Sequence, residues 1–190
     1  DSYKNEAIKK SFLVSGISNW VLTNSSNRGI KDLKSIAECT EKNPYDDKDK
    51  AAKYYAVVRA DGDNMGTTIK EEVKTEADYI EFSKKCFRYG CKTAEIVIEY
   101  GGIPIYVGGD DLLCIVPLMC KKDDGNKHTF LEMIKEIHKK FKEEFSDGPD
   151  LSFGIQIQYV KAPLYEALNE SGRLLFDKAK SNKPGAVAIN

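Results

Sequence analysis

The sequence predicts an α+β fold of the ferredoxin-like βαββαβ kind, with an extra C-terminal helix and strand. Three observations lead there. Tyr54 to Ala60 (YYAVVRA) is a β-branched and aromatic run, the composition of a strand. Ile103 to Val107 and Leu112 to Val116 are two further runs of this kind, joined by Gly108-Gly109-Asp110-Asp111, which reads as a hairpin. The segments that follow the first and third of these strands carry apolar residues at three-to-four-residue spacing, the period of a helix with one buried face.

The elements follow in order. Residues 6–22 place Ile8, Phe12, Ile17, Trp20 and Val21 at near-helical spacing, weakened by Gly16. Residues 23–52 are polar and rich in turn formers, with one short helix expected around Ile30 to Ala37. The chain therefore divides into an N-terminal helical segment and connection, 1–52, and a main domain, 53–190. In that domain residues 65–100 read as mostly helical, with Phe82, Cys86, Tyr89, Thr93, Val97 and Tyr100 on the repeat and Gly101-Gly102 as the stop. After the hairpin, Lys121 to Lys127 reads as a charged loop, and Phe130 to Phe145 as an amphipathic helix. Leu151 to Tyr159 alternates as a strand, Pro163 opens a helix that runs to about Lys180, and Ala186 to Ile189 is a short last strand. Right-handed crossovers are expected to put helices on one face of the sheet.

Composition narrows the function. The net charge is −1, from 29 Lys and Arg against 30 Asp and Glu, so no global basic surface invites nucleic acid. Five cysteines without regular spacing and without a Cys-x-x-Cys pair argue against a disulfide framework and a structural zinc site. Cys86 and Cys91 read as small core residues. No secretory leader and no run long enough to span a bilayer are visible, so a cytoplasmic protein without membrane contact is expected. The chain opens on Asp1 rather than Met, as a piece of a longer protein would.

The chemistry gathers at two strand ends. In the ferredoxin-like plan the first and third strands are antiparallel neighbours. Asp61, where the first strand exits, then meets Asp110 and Asp111, where the third begins. Each motif alone has an ordinary explanation: Asp61-Gly62-Asp63 as a turn or helix cap, Gly-Gly-Asp-Asp as a hairpin turn. Together, at ends that the topology joins, they make a carboxylate cluster whose mutual repulsion calls for cations. Oxygen ligands suit magnesium or manganese, and two such ions can clamp an in-line phosphoryl transfer. Asp61, Asp110 and Asp111 are the expected catalytic metal ligands. Gly62 and the backbone from Asp63 through Asn64 and Met65 to Gly66 are expected near nucleotide phosphates, and Gly108-Gly109 is expected to supply the positive φ of the turn.

Four stretches together carry a family resemblance: YYAVVRADGDNMG, GGIPIYVGGDDLLCIVP, LSFGIQIQYVKAPLYEAL and LLFDKAKSNKPGAVAIN. Tyr54 to Asn190 resembles the palm domain of the large polymerase-cyclase subunit of type III CRISPR effector complexes, and is more distantly similar to GGDEF diguanylate cyclases. The resemblance implies a palm that converts ATP to 3′-5′ cyclic oligoadenylate, a second messenger of antiviral defence, with release of pyrophosphate. It implies two divalent cations on Asp61, Asp110, Asp111 and the Gly62 carbonyl. It implies, as partners, the other subunits of an RNA-guided complex with its guide and target RNA, and a second palm or a homodimer to complete the site. Lys180 matches a phosphate-binding lysine of the cyclases; Lys183-Pro184 interrupts the register before Gly185, leaving Lys178 as the alternative. His128 and His138 do not precede Asp, so the family's nuclease pair is missing. Two other readings stay open: another cyclic-dinucleotide synthase, although Leu112 stands where a diguanylate cyclase has Phe, and a non-catalytic palm scaffold.

Overall fold

The computed structural model describes residues 32–38, 53–121, 125–146 and 148–190. The expected helix over 6–22 and most of the polar connection lie outside the described residues, as do Cys39 and Asp123-Asp124. The elements are α1 (Leu33–Glu38), β1 (Tyr54–Asp63), α2 (Met65–Glu72), α3 (Glu76–Glu99), β2 (Ile103–Gly108), β3 (Asp111–Pro117), β4 (Met119–Lys121), β5 (Lys127–Thr129), α4 (Phe130–Glu144), β6 (Asp150–Tyr159), α5 (Leu164–Arg173), a π-helical segment (Leu174–Ala179), α6 (Lys180–Asn182) and β7 (Val187–Ile189).

The main sheet has the order β2-β3-β1-β6-β7. β1 sits in the centre, antiparallel to both β3 and β6, and β7 adds a parallel edge beside β6. This is the expected ferredoxin-like arrangement with its extra strand. β1 is central because Tyr55 to Val58 are all buried, so both of its faces have to be covered. One face packs under α3 and α4: Val58, Ala60, Val97, Tyr89, Ile137 and Phe141 belong to one cluster. The other face carries Tyr55, Val57 and Ile115 against Ile36 and Ala37 of α1 and Ala167 of α5. Helices thus lie on both faces rather than on one; the two crossover helices share a side as expected, while the added helix and α1 cover the other.

Several local details differ from the sequence reading. The span 65–100 is two helices, because Thr75 caps α3 by accepting from Asp78 N–H while the Asp78 carboxylate accepts from Thr75 N–H, 2.8 Å, a capping box. α3 ends as expected, with Gly101 at φ 96 and Gly102 N–H donating to Val97 O. The charged loop at 121–127 is flanked by a short hairpin, β4 with β5. Cys86 and Cys91 are only half-buried, whereas Cys114 and Cys120 are fully so. β1 runs on past Ala60: Gly62 and Asp63 pair with Leu151 and Asp150.

The last helix presses on the sheet at Gly154. A Cβ there would overlap the backbone N of Leu175 and O of Ser171. The close approach holds the π segment against β6, and this segment leads directly into Lys180. Single π turns inside α-helices recur at functional sites.

Candidate active site

The ends of β1 and β3 meet as the topology requires. Ala60 and Leu112 are the last registered pair, so Asp61 and Asp111 come next across the two strands. Along β1, residues alternate between faces: Arg59, Asp61 and Asp63 look toward α5, and Gly62 looks toward α3. Asp111 shares the α5 side and is hydrogen-bonded to Asp61. Asp110 sits in the turn on the other side of the strand. Its carboxylate fills the space that a Gly62 side chain would need, with Oδ2 2.5 Å from an ideal Cβ. Gly62 is therefore required by Asp110 and by Met65, whose Cγ is equally near.

The connection Gly109-Asp110 has two residues, with φ +66 at Gly109, the first central residue of the turn, where a type II′ hairpin needs it. Gly108 has no such φ; it is a strand residue over which the Tyr106 ring folds, its Cζ 2.7 Å from an ideal Cβ. The expected role of the glycine pair thus falls to Gly109 alone.

Lys180 closes the site. Its ammonium donates to Gly62 O at 2.9 Å, pairs with Asp61 Oδ2, and lies 3.3 Å from Asp63 Oδ1. Lys178 points to solvent, so the structure brings Lys180, and not Lys178, to the carboxylates. Asp63 is turned inward instead of toward an open phosphate site. Its Oδ2 accepts from Ser152 Oγ at 2.6 Å and Gly185 N at 2.9 Å, so it ties β1 to β6 and to the loop before β7. Asn64 takes φ 64 and starts α2 without a side-chain cap. Thr67 and Thr68 N–H donate to Asn64 O, while Met65 and Gly66, at the first positions of the helix, have N–H groups that an α-helix leaves without an internal partner. Met65 is buried and Gly66 is exposed with open space around it.

Electrostatics follow from this packing. Asp111 is pushed up to about 7 by burial, by its hydrogen bond to Asp61 and by the charges of Asp61 and Asp110, with Lys180 pulling back. Burial also raises Asp110, against backbone N–H groups of its own and of Gly62. For Lys180 burial works downward, but the Asp61 and Asp63 carboxylates outweigh it and hold the ammonium above its ordinary value. The raised proton affinity of Asp111 and the Lys180 charge both offset the repulsion among the clustered acids.

Among the described residues no group of three His, Cys, Asp or Glu side chains is arranged to hold a metal ion. The donors nevertheless fit a hard cation. The ammonium of Lys180 already rests in a cradle of three oxygens, from Asp61, Gly62 and Asp63, and oxygen donors are what magnesium and manganese take. Asp110 lies on the far side of Gly62 and would have to turn to join these oxygens.

Residues 54–188 match the family described as Cas10/Cmr2, second palm domain. The chain belongs to that family. It is thus a second palm domain of the Cas10/Cmr2 kind. The CRISPR system Cmr subunit Cmr2 of Pyrococcus furiosus is 33% identical over 162 aligned positions, which cover 70% of this chain and 18% of that protein. A Csm1–Csm4 cassette in complex with cA4 superposes with a TM-score of 0.59 at 15% identity, over 72% of this chain and 21% of that one. The active GGEEF domain of a diguanylate cyclase from Vibrio cholerae superposes at 0.51 and 15% identity, over 72% of this chain and 83% of that domain. The palm spans about a fifth of the Cmr2 and Csm1 chains it matches. Among the described residues no helix is long and apolar enough to cross a membrane.

Two participants escaped the sequence reading. Ser152, on the neighbouring strand, fixes Asp63. Arg59 stands two residues before Asp61 on the same strand face, and its Nε donates to Ser171 Oγ at 3.3 Å. The period of two alone would have placed Arg59 with Asp61.

Proposed function

We propose that this palm is a metal-dependent nucleotidyltransferase that joins ATP into cyclic oligoadenylate. In each step the 3′-hydroxyl of one nucleotide attacks the α-phosphate of another, a new phosphodiester forms, and pyrophosphate leaves. The observation that carries this reading is the pairing of Asp61 with Asp111 at the joined ends of β1 and β3, capped by the Lys180 ammonium on the Gly62 carbonyl. A Csm1–Csm4 cassette in complex with one ATP, of the same fold, lends support to ATP as substrate.

On this reading Asp61, Asp111, Asp110 and the Gly62 carbonyl hold two magnesium or manganese ions. Bound cations there supply Lewis acidity, lowering the pKa of the attacking hydroxyl and neutralising the phosphoryl oxygens. The chain's own groups do the rest. Lys180 leaves its carboxylate cradle to pair with triphosphate oxygens. The N–H groups of Asn64 to Gly66 receive further phosphate oxygens at the open start of α2. Asp111 gives up its proton as positive charge enters the cluster.

The proposed setting is an RNA-guided effector complex in the cytoplasm, with guide RNA, target RNA and the complex's other subunits as partners. A second palm or a second copy of this chain would supply the facing nucleotide. Calorimetry with ATP and GTP, with and without manganese, on the chain and on Asp61→Asn tests the reading. Manganese-dependent ATP binding that the substitution abolishes is expected, with cyclic products by mass spectrometry. Preference for GTP would favour a cyclic-dinucleotide synthase, and metal-independent binding insensitive to Asp61 would leave a non-catalytic scaffold.

A further inference from the structure

Arg59 carries a charge that, among the described residues, no anion meets on this sheet face. It lies in the middle of β1, opposite Gly154 on one side and Leu113 on the other. Residues two apart on a strand share a face and are about 6.6 Å apart along it, so Arg59 adjoins Asp61 on the α5 side. Its stem runs past the helix at Gly172, where an ideal Cβ would be 3.8 Å from Nε. The side chain is half-buried. Its one polar contact is the 3.3 Å bond from Nε to Ser171 Oγ, and Ser171 is already engaged as a donor to Leu168 O at 2.9 Å. Among the described residues its two Nη groups have neither a hydrogen-bond acceptor nor a carboxylate.

That arrangement is uneconomical for a purely structural residue. A half-buried cation without an anion loses hydration and regains little. A neutral donor would serve Ser171 equally well. The neighbouring acids do not reach it: Asp61 is taken by Lys180, and Asp111 by Asp61. A planar guanidinium, here with four N–H bonds that no described residue accepts, is the group that matches the paired oxygens of a phosphate. We propose that Arg59 binds a phosphate group of the nucleotide held at Asp61 and Asp111, from the inner side of the sheet face, while Lys180 binds from the strand end. This rests on the nucleotidyltransferase reading above. The phosphate can belong to the triphosphate of the donor or to the phosphodiester of a joined product; the recognition chemistry is the same.

The test uses the 190-residue chain with Arg59→Gln and Arg59→Lys, and three probes in manganese: ATP, inorganic tripolyphosphate and the dinucleotide ApA, which has a phosphodiester and no terminal phosphate. Loss of a charge-assisted contact should weaken the recognised probe about 10-fold or more, with partial recovery in Arg59→Lys. Weakening of ATP and tripolyphosphate assigns the contact to the triphosphate; weakening confined to ApA assigns it to the phosphodiester. The urea midpoint of Arg59→Gln should stay level or rise, since a merely structural arginine would lower it. Equal affinity of wild type and Arg59→Gln for all three probes overturns the assignment of Arg59 and leaves the nucleotidyltransferase reading intact. Arg59-dependent binding of tripolyphosphate without any binding of ATP or ApA supports the anion site and removes the nucleotide reading. No binding of any probe by the wild type overturns both.

Discussion

Replacing Gly154 by alanine isolates the contact that sets the position of the last helix. An alanine Cβ would overlap Leu175 N and Ser171 O and lie 2.7 Å from Leu175 Cβ, where ordinary contact begins at 3.4 Å. Two of the three opposing atoms are backbone, so no rotamer change relieves the clash and the helix itself has to retreat. Overpacking of this kind costs about 1–3 kcal/mol, more where nothing yields. Because the opposing atoms are backbone, the upper end of about 3 kcal/mol applies; the stiffer alanine returns up to about 1 kcal/mol, which leaves a net loss of roughly 2–3 kcal/mol. Gly172 is the matched control. A Cβ there meets nothing nearer than Arg59 Nε at 3.8 Å, and glycine inside a helix costs up to about 1 kcal/mol relative to alanine. Urea unfolding should therefore lower the midpoint of Gly154→Ala and leave level or raise that of Gly172→Ala, with m unchanged in both. A Gly154→Ala midpoint within about 0.5 kcal/mol of wild type, the scatter of a neutral surface change, would refute the close approach. The position of Lys180, five residues beyond Leu175, would then need another explanation.

Four further outcomes are expected. Lys180→Met should destabilise the fold by about 1–3 kcal/mol, between exposed and buried ion pairs, because Asp61 and Asp63 lose their cation; Lys178→Met, at an exposed position, should be silent in the same unfolding assay. Asp63→Ala should cost about 2–3 kcal/mol by leaving Ser152 Oγ and Gly185 N without an acceptor, again read by urea unfolding. Because burial and Asp61 raise the folded-state pKa of Asp111 to about 7 from an ordinary 3.8, its contribution is most favourable below pH 4 and is lost as pH rises through 7. Asp111→Asn should flatten that part of the stability–pH curve and be the more stable protein at pH 8, a result that an unchanged slope between pH 4 and 8 would contradict. Asp61→Asn should not share that gain, since it removes the partner of Lys180 along with the repulsion, and thermal melts of the two variants at pH 8 compare them directly.

Much of the fold was legible because it rests on patterns that one sequence carries whole. The β-branched run of β1 and the apolar repeat of α4 reflect two-sided burial and a single buried face, and each shows directly in residue order. What stayed hidden depends on partners elsewhere in the chain. Gly62 and Asp63 have little strand preference of their own; they are strand because Leu151 and Asp150 pair with them. The break before α3 was written in Thr75-x-x-Asp78, but the apolar repeat begins only at Phe82 and draws the eye past it. β4 and β5 are three residues each, too short for any alternation to register. At the site, Asp61 and Asp111 followed from topology alone. The inward turn of Asp63 did not, because it requires Ser152 and Gly185 to arrive from positions 89 and 122 residues away. The choice between Lys178 and Lys180 needed the π segment, which changes the residues presented per turn without any mark in the apolar spacing.

The charge balance of the site links its proposed ligands to one another. The carboxylates of Asp61, Asp63, Asp110 and Asp111 crowd one strand end, and the fold tolerates them through two devices: the Lys180 ammonium in their midst and a raised affinity of Asp111 for a proton. Each device is displaced by one of the proposed ligands. Triphosphate oxygens compete for Lys180, and when the lysine moves toward them the carboxylates are left short of positive charge. Divalent cations compete for the Asp111 proton and restore that charge. Either ligand alone removes one compensation without supplying the other, so each should bind weakly by itself and strongly in company. Such coupling is reciprocal by linkage, so the factor by which manganese tightens ATP has to equal the factor by which ATP tightens manganese. The equality holds wherever the lysine sits; what its place among the carboxylates predicts is that the shared factor is well above one. The arrangement at Gly62 is thus a prediction about thermodynamics as much as a description of geometry.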